Sequence, residues 1–206
     1  YGEQFSYWKD LTLTTEAAWL GRSFLILREF GWSVSCSATF EQGAINAISA
    51  DRIDARIVPL PVFTVVFQSD LRWFAHGDAF IVQNPTQHSA RRRRFYIPHW
   101  PPPVVIPRDR SRTNVTRVGL MGIPWIRALS TSSFRCIFAH LGLDVIDLWK
   151  ERRWHNYSDI DVLIAIRSFD RRTHDTKPPW KLFTAWLARC PLVAGNDSAF
   201  SYEGDP

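Results

Sequence analysis

The chain has 206 residues, 46% of them hydrophobic, with ten tryptophans and a formal net charge of +5. That length is enough for one large domain or two small ones with a substantial core, and no apolar run approaches the roughly 20 residues of a membrane-spanning helix. Three widely separated cysteines, Cys36, Cys136 and Cys190, offer neither a disulfide framework nor metal-ligand spacing, which points to a reducing, cytoplasmic compartment.

The first half reads as strands with one clear helix. Residues 14–30 place Trp19, Phe24, Leu27 and Phe30 near helical spacing, and Gly31 is a stop signal. Trp32–Ala38 alternates as a strand would. Ala44–Ser49, Val62–Phe67 and Ala79–Val82 are further strands, the second being rich in β-branched and aromatic residues. Arg91–Arg94 is the sharpest charge feature. It fits a solvated loop or strand edge, or docking on anionic lipid. Nucleic-acid binding is disfavoured, because no RNA-recognition, zinc-finger or KH signature accompanies it. Five prolines among residues 97–107 exclude a helix or a central strand. This stretch is a stiff, extended interdomain linker or a long surface loop.

The second half alternates strands and helices. Arg117–Met121 is a strand ending at Gly122, residues 125–141 a helix closed by Gly142, and Leu143–Leu148 a strand. Asp161–Arg167 is a continuous apolar strand of the kind covered on both faces. A helix opening at Lys177 and a strand at Leu192–Ala194 follow. The alternation argues for a doubly wound α/β sheet.

Lys177 and Lys181 stand four residues apart, on one face of the expected helix, with Pro178 and Pro179 in its first turn. Cations there oppose the helix macrodipole by roughly 0.3–1 kcal/mol each. They are either solvated surface lysines or half of an anion site completed by backbone N–H groups. Ligands of open α/β sheets bind beyond the carboxyl ends of the strands. Three such ends are legible: the Gly119–Gly122 turn, Arg167-Ser168, and Gly195–Ser198. Arg167, Lys177 and Lys181 would then surround one anion, a diphosphate being the natural fit. The full dinucleotide fingerprint, the Walker lysine motif, the nucleophile elbow and the zinc-protease motif are all missing. The six histidines are scattered, and His99 draws notice because it lies in the proline stretch.

Several segments resemble a known family. Trp154-x-x-Tyr157-Ser-Asp-Ile-Asp-Val-Leu-Ile-Ala-Ile-Arg167, Lys177-Pro-x-x-Lys181-Leu-x-x-Ala185-Trp186 and Pro191-Leu-Val-Ala-Gly195-x-x-Ser198-Ala-Phe200 resemble the second domain of GT-B glycosyltransferases. They are similar above all to uncharacterised bacterial glycosyltransferase-like proteins. Val82–Thr86 and Ile97–Pro101 look like the same family's first domain and linker.

The resemblance implies an α/β fold of two Rossmann-like domains facing each other across a cleft. Residues 1–97 would form the acceptor-side domain, 98–114 the proline-rich linker, and 115–206 the donor domain, which reads as incomplete because the chain stops at Pro206. It further implies transfer of a sugar from a nucleotide-diphosphate-sugar donor to an unidentified glycan or lipid-linked acceptor, with neither metal nor other cofactor. Donor contacts would fall on Gly119, Gly122, Arg167, Ser168, Lys177, Lys181, Asp197 and Ser198. Arg91, Arg92, Arg93 and Arg94 would give peripheral contact with the inner membrane face. No residue is assigned as catalytic base. The sequence departs from the family pattern at Arg189-Cys190, where a small glycine precedes the last strand, and at Asp197, where the family has Glu. The alternative is a non-catalytic relative that binds nucleotide or glycan without turnover.

Overall fold

The computed structural model describes residues 17–54, 62–70, 73–102, 104–124 and 127–204. The fold is α/β, with two four-stranded parallel sheets. The chain divides into two compact units, Tyr1–Pro103 with Asp175–Pro178, and Val104–His174 with Pro179–Pro206. No helix among the described residues is long and apolar enough to cross a membrane.

In the first unit, β1 (Asn46–Ser49), β2 (Thr64–Phe67), β3 (Ala79–Val82) and β4 (Arg94–Tyr96) lie side by side in chain order, all parallel. Val66, Phe80 and Val82 on one face bury against Ala50, Ile53 and Phe74. Trp19 packs edge-on against Phe67, with ring centroids 5.0 Å apart. Trp19 belongs to a π-helical turn, Ala17–Gly21, that leads into helix α1 (Arg22–Glu29), so the helix expected over 14–30 is shorter among the described residues. Gly31, at φ 80°, ends it as expected. Trp32–Ala38 is not a strand. It finds no neighbouring strand, and alternation without a ladder partner leaves Trp32 68% exposed. β4 was not anticipated, because it begins on the last residue of the arginine run, Arg94.

The second unit has the order β6-β5-β7-β8, formed by β5 (Arg117–Leu120), β6 (Asp144–Asp147), β7 (Val162–Ala165) and β8 (Leu192–Ala194). Helix α2 (Thr131–Ala139) joins β5 to β6, α3 (Trp180–Ala188) lies between β7 and β8, and α4 (Ser198–Gly204) follows β8. Val118, Leu120, Val145 and Ile164 pack against Phe134 of α2. Leu163 and Ala165 point the other way, into a cluster with Leu182, Ala185 and Ala188 of α3. Both faces are thus covered, which is why these strands are uninterrupted in their apolar character. Gly119 in β5 serves this packing. A Cβ there would lie 2.9 Å from Leu163, 3.0 Å from Ile160 and 3.1 Å from Leu148.

Helix boundaries differ from expectation for local reasons. Ser130 caps α2 by accepting the Ser133 N–H at 3.1 Å, so the described helix starts at Thr131. α3 starts at Trp180 rather than Lys177. Lys177 and Pro178 each precede a proline, which pushes both toward extended backbone and out of the helix. At the other end of α3, Arg189 adopts the left-handed conformation, φ 56°, and its N–H closes the helix. The tight turn therefore forms without the small residue the family pattern has there. The stretch expected as a linker over 98–114 is divided at Pro103–Val104. His99 and Trp100 pack into the first unit, against Trp19 and Ser23. Ile106 bonds to His155 and Tyr157, and the Asp109 N–H donates to Ser158 O, in the second.

Asp161 anchors the amino-terminal edge of the second sheet. Its side chain is fully buried and accepts from Arg108, from Arg112 at 2.8 Å through both Nε and Nη2, and from the backbone N–H groups of Thr116 and Arg117 at 2.8 and 2.9 Å. The Arg112 hydrogen bonds above all hold this carboxyl far below the usual carboxylate range. Asp159 beside it pairs with Arg153 and Arg117. Tyr157–Asp161, part of the Trp154–Arg167 segment that resembles the family, is thus built into the foundation of the sheet.

Two outcomes follow. Asp161→Asn leaves two guanidinium groups without their anion and should destabilise the protein by about 3–5 kcal/mol. Because the folded pKa is depressed, the wild-type stabilisation is complete above the unfolded value of about 4 and is lost as pH falls below it. Urea melts at pH 7 and pH 3 should show the gap between wild type and variant narrowing in acid. Arg189→Gly should raise stability by about 1 kcal/mol by removing the left-handed penalty, read as a higher Tm.

Candidate anion-binding site

The strand order of the second sheet reverses at β5, so the crevice between the carboxyl ends of β5 and β7 is its switch point. Met121 still bonds to the end of β7, its N–H donating to Ile164 O at 2.9 Å. Gly122 then turns at φ 92°, a conformation that favours glycine. Its missing side chain has a second use. A Cβ at Gly122 would stand 2.6 Å from Lys181 Nζ and 3.1 Å from Lys181 Cε. Lys181, the second residue of α3, is 8% exposed, and its Nζ lies 3.5 Å from Met121 O. The glycine turn is therefore the seat of a buried ammonium. That ammonium sits in the first turn of a helix, against the positive end of the macrodipole. A bound anion at the strand ends would meet both this charge and the N–H groups of the helix start.

The neighbouring strand ends carry the other expected residues of this unit. Arg167, after β7, donates Nε–H to Asp197 Oδ2 at 2.6 Å, and both side chains are buried. Its charge is largely balanced by that carboxylate, and Asp197 Oδ1 is buried without a hydrogen-bond partner. Ser198 opens α4, its N–H donating to Thr173 O. Ser168 Oγ lies 2.9 Å from His174 Nε2 and 2.7 Å from Asp170 Oδ1. This is not a nucleophile with its base. The Ser168 hydroxyl bond, chiefly, and the Arg172 bonds lower the Asp170 carboxyl to about 2, so it is ionised and takes the single hydroxyl proton. His174 must then donate to Ser168 rather than accept from it.

Gly122, Arg167, Ser168, Lys181, Asp197 and Ser198 thus share one sheet edge, whereas Gly119 lies within β5, below it. Lys177 belongs elsewhere. It is part of the first unit, where its ammonium pairs with Asp70. Its carbonyl accepts from Asn84 Nδ2 at 2.8 Å, and Thr176 O accepts from Gln83 Nε2 at 2.9 Å. The expectation that Lys177 and Lys181 form one helical face is corrected by the prolines between them. His99 is buried against Trp19, ring centroids 4.5 Å apart, and burial lowers it to about 4 against a weaker opposing pull from Asp70. It is neutral at physiological pH.

Sequence reasoning missed one group on this edge. The loop after β5 is clamped to β7 by Ala128 N–H donating to Ile166 O at 3.0 Å. It carries Arg127, whose side chain is 2% exposed and whose Nη2 donates to Asp147 Oδ2 at 2.9 Å. Burial alone would raise the Asp147 carboxyl, but hydrogen bonds from Thr131 and Arg127 outweigh it and hold the group below its ordinary value. Arg127 Nε and Nη1 are buried with no partner. The legible signal was Asp147, an acid closing an apolar strand. Arg127 itself carried none. Among the described residues, no cluster of His, Cys, Asp or Glu has the grouping of a metal site.

No protein-family model matches this sequence, and neither a curated protein nor a solved structure matches it.

Gly122→Ala should displace the Lys181 ammonium as well as strain the backbone. Gly142, at φ 68°, has open space around its Cβ position and isolates the backbone cost. In chemical denaturation, Gly142→Ala should cost about 1 kcal/mol and Gly122→Ala about 2–3 kcal/mol. Equal losses would mean that the lysine seat contributes nothing.

Proposed function

We propose that the protein is a metal-independent glycosyltransferase of GT-B type. In this reading the carboxyl edge of the second sheet holds a nucleotide-diphosphate-sugar donor, and the first unit receives a glycan or lipid-linked acceptor. One observation carries it: the Lys181 ammonium seated on Gly122 at the switch point of a parallel α/β sheet. The site calls for a small dianionic group close to backbone, which a diphosphate supplies. Arg127, with two unpaired N–H groups on the same edge, supports an anion there. Fold-level analogy supplies the sugar, and the residues supply only the anion.

A specific observation favours a second reading, a relative that binds nucleotide or glycan without turnover. Of the three cations expected around the diphosphate, Arg167 is committed to Asp197 and Lys177 to Asp70. That leaves less positive charge for a departing diphosphate than the expected cluster of three cations would offer.

Calorimetry of the full chain with UDP-, GDP-, ADP- and CMP-sugars tests both. One donor should bind, and Lys181→Ala should weaken it at least tenfold while Lys177→Ala leaves it within twofold. Unaltered affinity in Lys181→Ala would overturn the donor-site assignment. Binding with no sugar released or transferred in an acceptor screen would select the non-catalytic reading.

A further inference from the structure

The arginine run forms a built surface feature of the first unit, independent of the donor-site reading. Residues 89–94 make a compact projection. The Ser89 N–H donates to Arg94 O and the Arg94 N–H to Ser89 O, both at 3.0 Å, closing its base. A 3-10 turn, Ala90–Arg92, fills it, and Arg93 ends the turn in the left-handed conformation at φ 51°. Arg94 is drawn out of the run, its guanidinium 4.3 Å from the centre of the Trp73 ring. Arg91, Arg92 and Arg93 remain exposed, and none of them makes an ion pair among the described residues. Three like charges held together on a pinned turn repel one another, which favours an anionic surface as their counterpart.

The strand that leaves this turn is an edge strand, and its outward residues are apolar. Phe95 is 44% and Ile97 47% exposed. Both occupy alternate positions along one side of β4 and its extension, where Ile97 continues the ladder by donating to Val82 O at 3.1 Å. A cationic turn beside an exposed aromatic and an exposed aliphatic side chain combines the two forces that hold proteins on bilayers. Arginines meet anionic headgroups, and apolar side chains enter the interface. A nucleic acid would use the arginines and stack on Phe95, but it offers nothing to the aliphatic Ile97.

We propose that this turn and edge strand dock the protein on an anionic lipid surface, with Arg91, Arg92 and Arg93 at the headgroups and Phe95 and Ile97 at the acyl boundary. Each arginine near such a surface is worth about fivefold in partitioning, so the three together contribute roughly 100-fold.

Co-sedimentation of the full chain with phosphatidylcholine vesicles, with and without 30 mol% phosphatidylglycerol, tests this. Wild type should bind only the anionic vesicles and should be released as salt rises from 0.05 to 0.5 M. The R91A/R92A/R93A variant should lose about 100-fold, whereas R91K/R92K/R93K should stay within a few-fold of wild type. The F95S/I97S variant should also lose affinity while keeping its salt dependence. All five positions are at the surface, and matching circular dichroism spectra and Tm values would show the variants folded. Equal binding to neutral vesicles, no binding to either, or insensitivity to the triple alanine change would overturn the proposal. So would tighter binding, at the same salt, to a 20-nucleotide single-stranded RNA than to anionic vesicles.

Discussion

The second unit rests on one carboxylate. Asp161 sits where β5 and β7 begin and collects the N–H groups of the chain entering β5 together with two guanidinium groups from the segment before it. A charge so buried is tolerated only when its lone pairs are filled. Filling them fixes the start of both central strands and ties residues 108–117 to the sheet. Strand register then propagates to the far edge, where Leu120 pairs with Ile164 and the Met121 N–H still donates to Ile164 O. The arrangement of the carboxyl edge is a consequence of an ionic knot five to six residues upstream along each strand.

This arrangement divides labour between the two edges of one sheet. The amino edge is saturated: Asp159 and Asp161 are matched by Arg153, Arg117, Arg108 and Arg112. The carboxyl edge is not. Arg127 and Asp197 keep buried polar atoms without partners there. Buried groups left unpaired cost roughly 1–3 kcal/mol each, and proteins retain few of them. Within the second unit, the described ones lie on the edge where α/β sheets take ligands, which supports the functional reading.

Much of the fold was legible. Ala79–Val82 and Leu192–Ala194 coincide with their strands, because apolar runs between turn residues admit little else. Interior strands such as β7 were read too long at their charged ends, since hydrophobicity does not mark where the ladder stops. β4 was hidden because four arginines masked the Phe95-Tyr96 pair, and Trp32–Ala38 misled because alternation cannot reveal whether a partner strand exists. For the site, Gly122 and Lys181 were recoverable from turn and helix logic, though their mutual contact was not. Lys177 was misplaced because two prolines were credited with opening the helix when they delay it. Tyr157–Asp161, part of the segment that resembles the family, belongs to the supporting amino edge of the sheet.

The short segment Asp175–Pro178 has a consequence for biosynthesis. It leaves the second unit, gives its carbonyls to Gln83, Asn84 and Thr86 and its ammonium to Asp70, and then returns. A ribosome releases the sheet of the first unit long before these four residues exist. Until Pro178 has emerged, the side-chain amides of Gln83 and Asn84 have water rather than these carbonyls as partners. The contacts of the first unit are therefore complete only after most of the second has been made, so this segment is the last piece added to the first unit during synthesis.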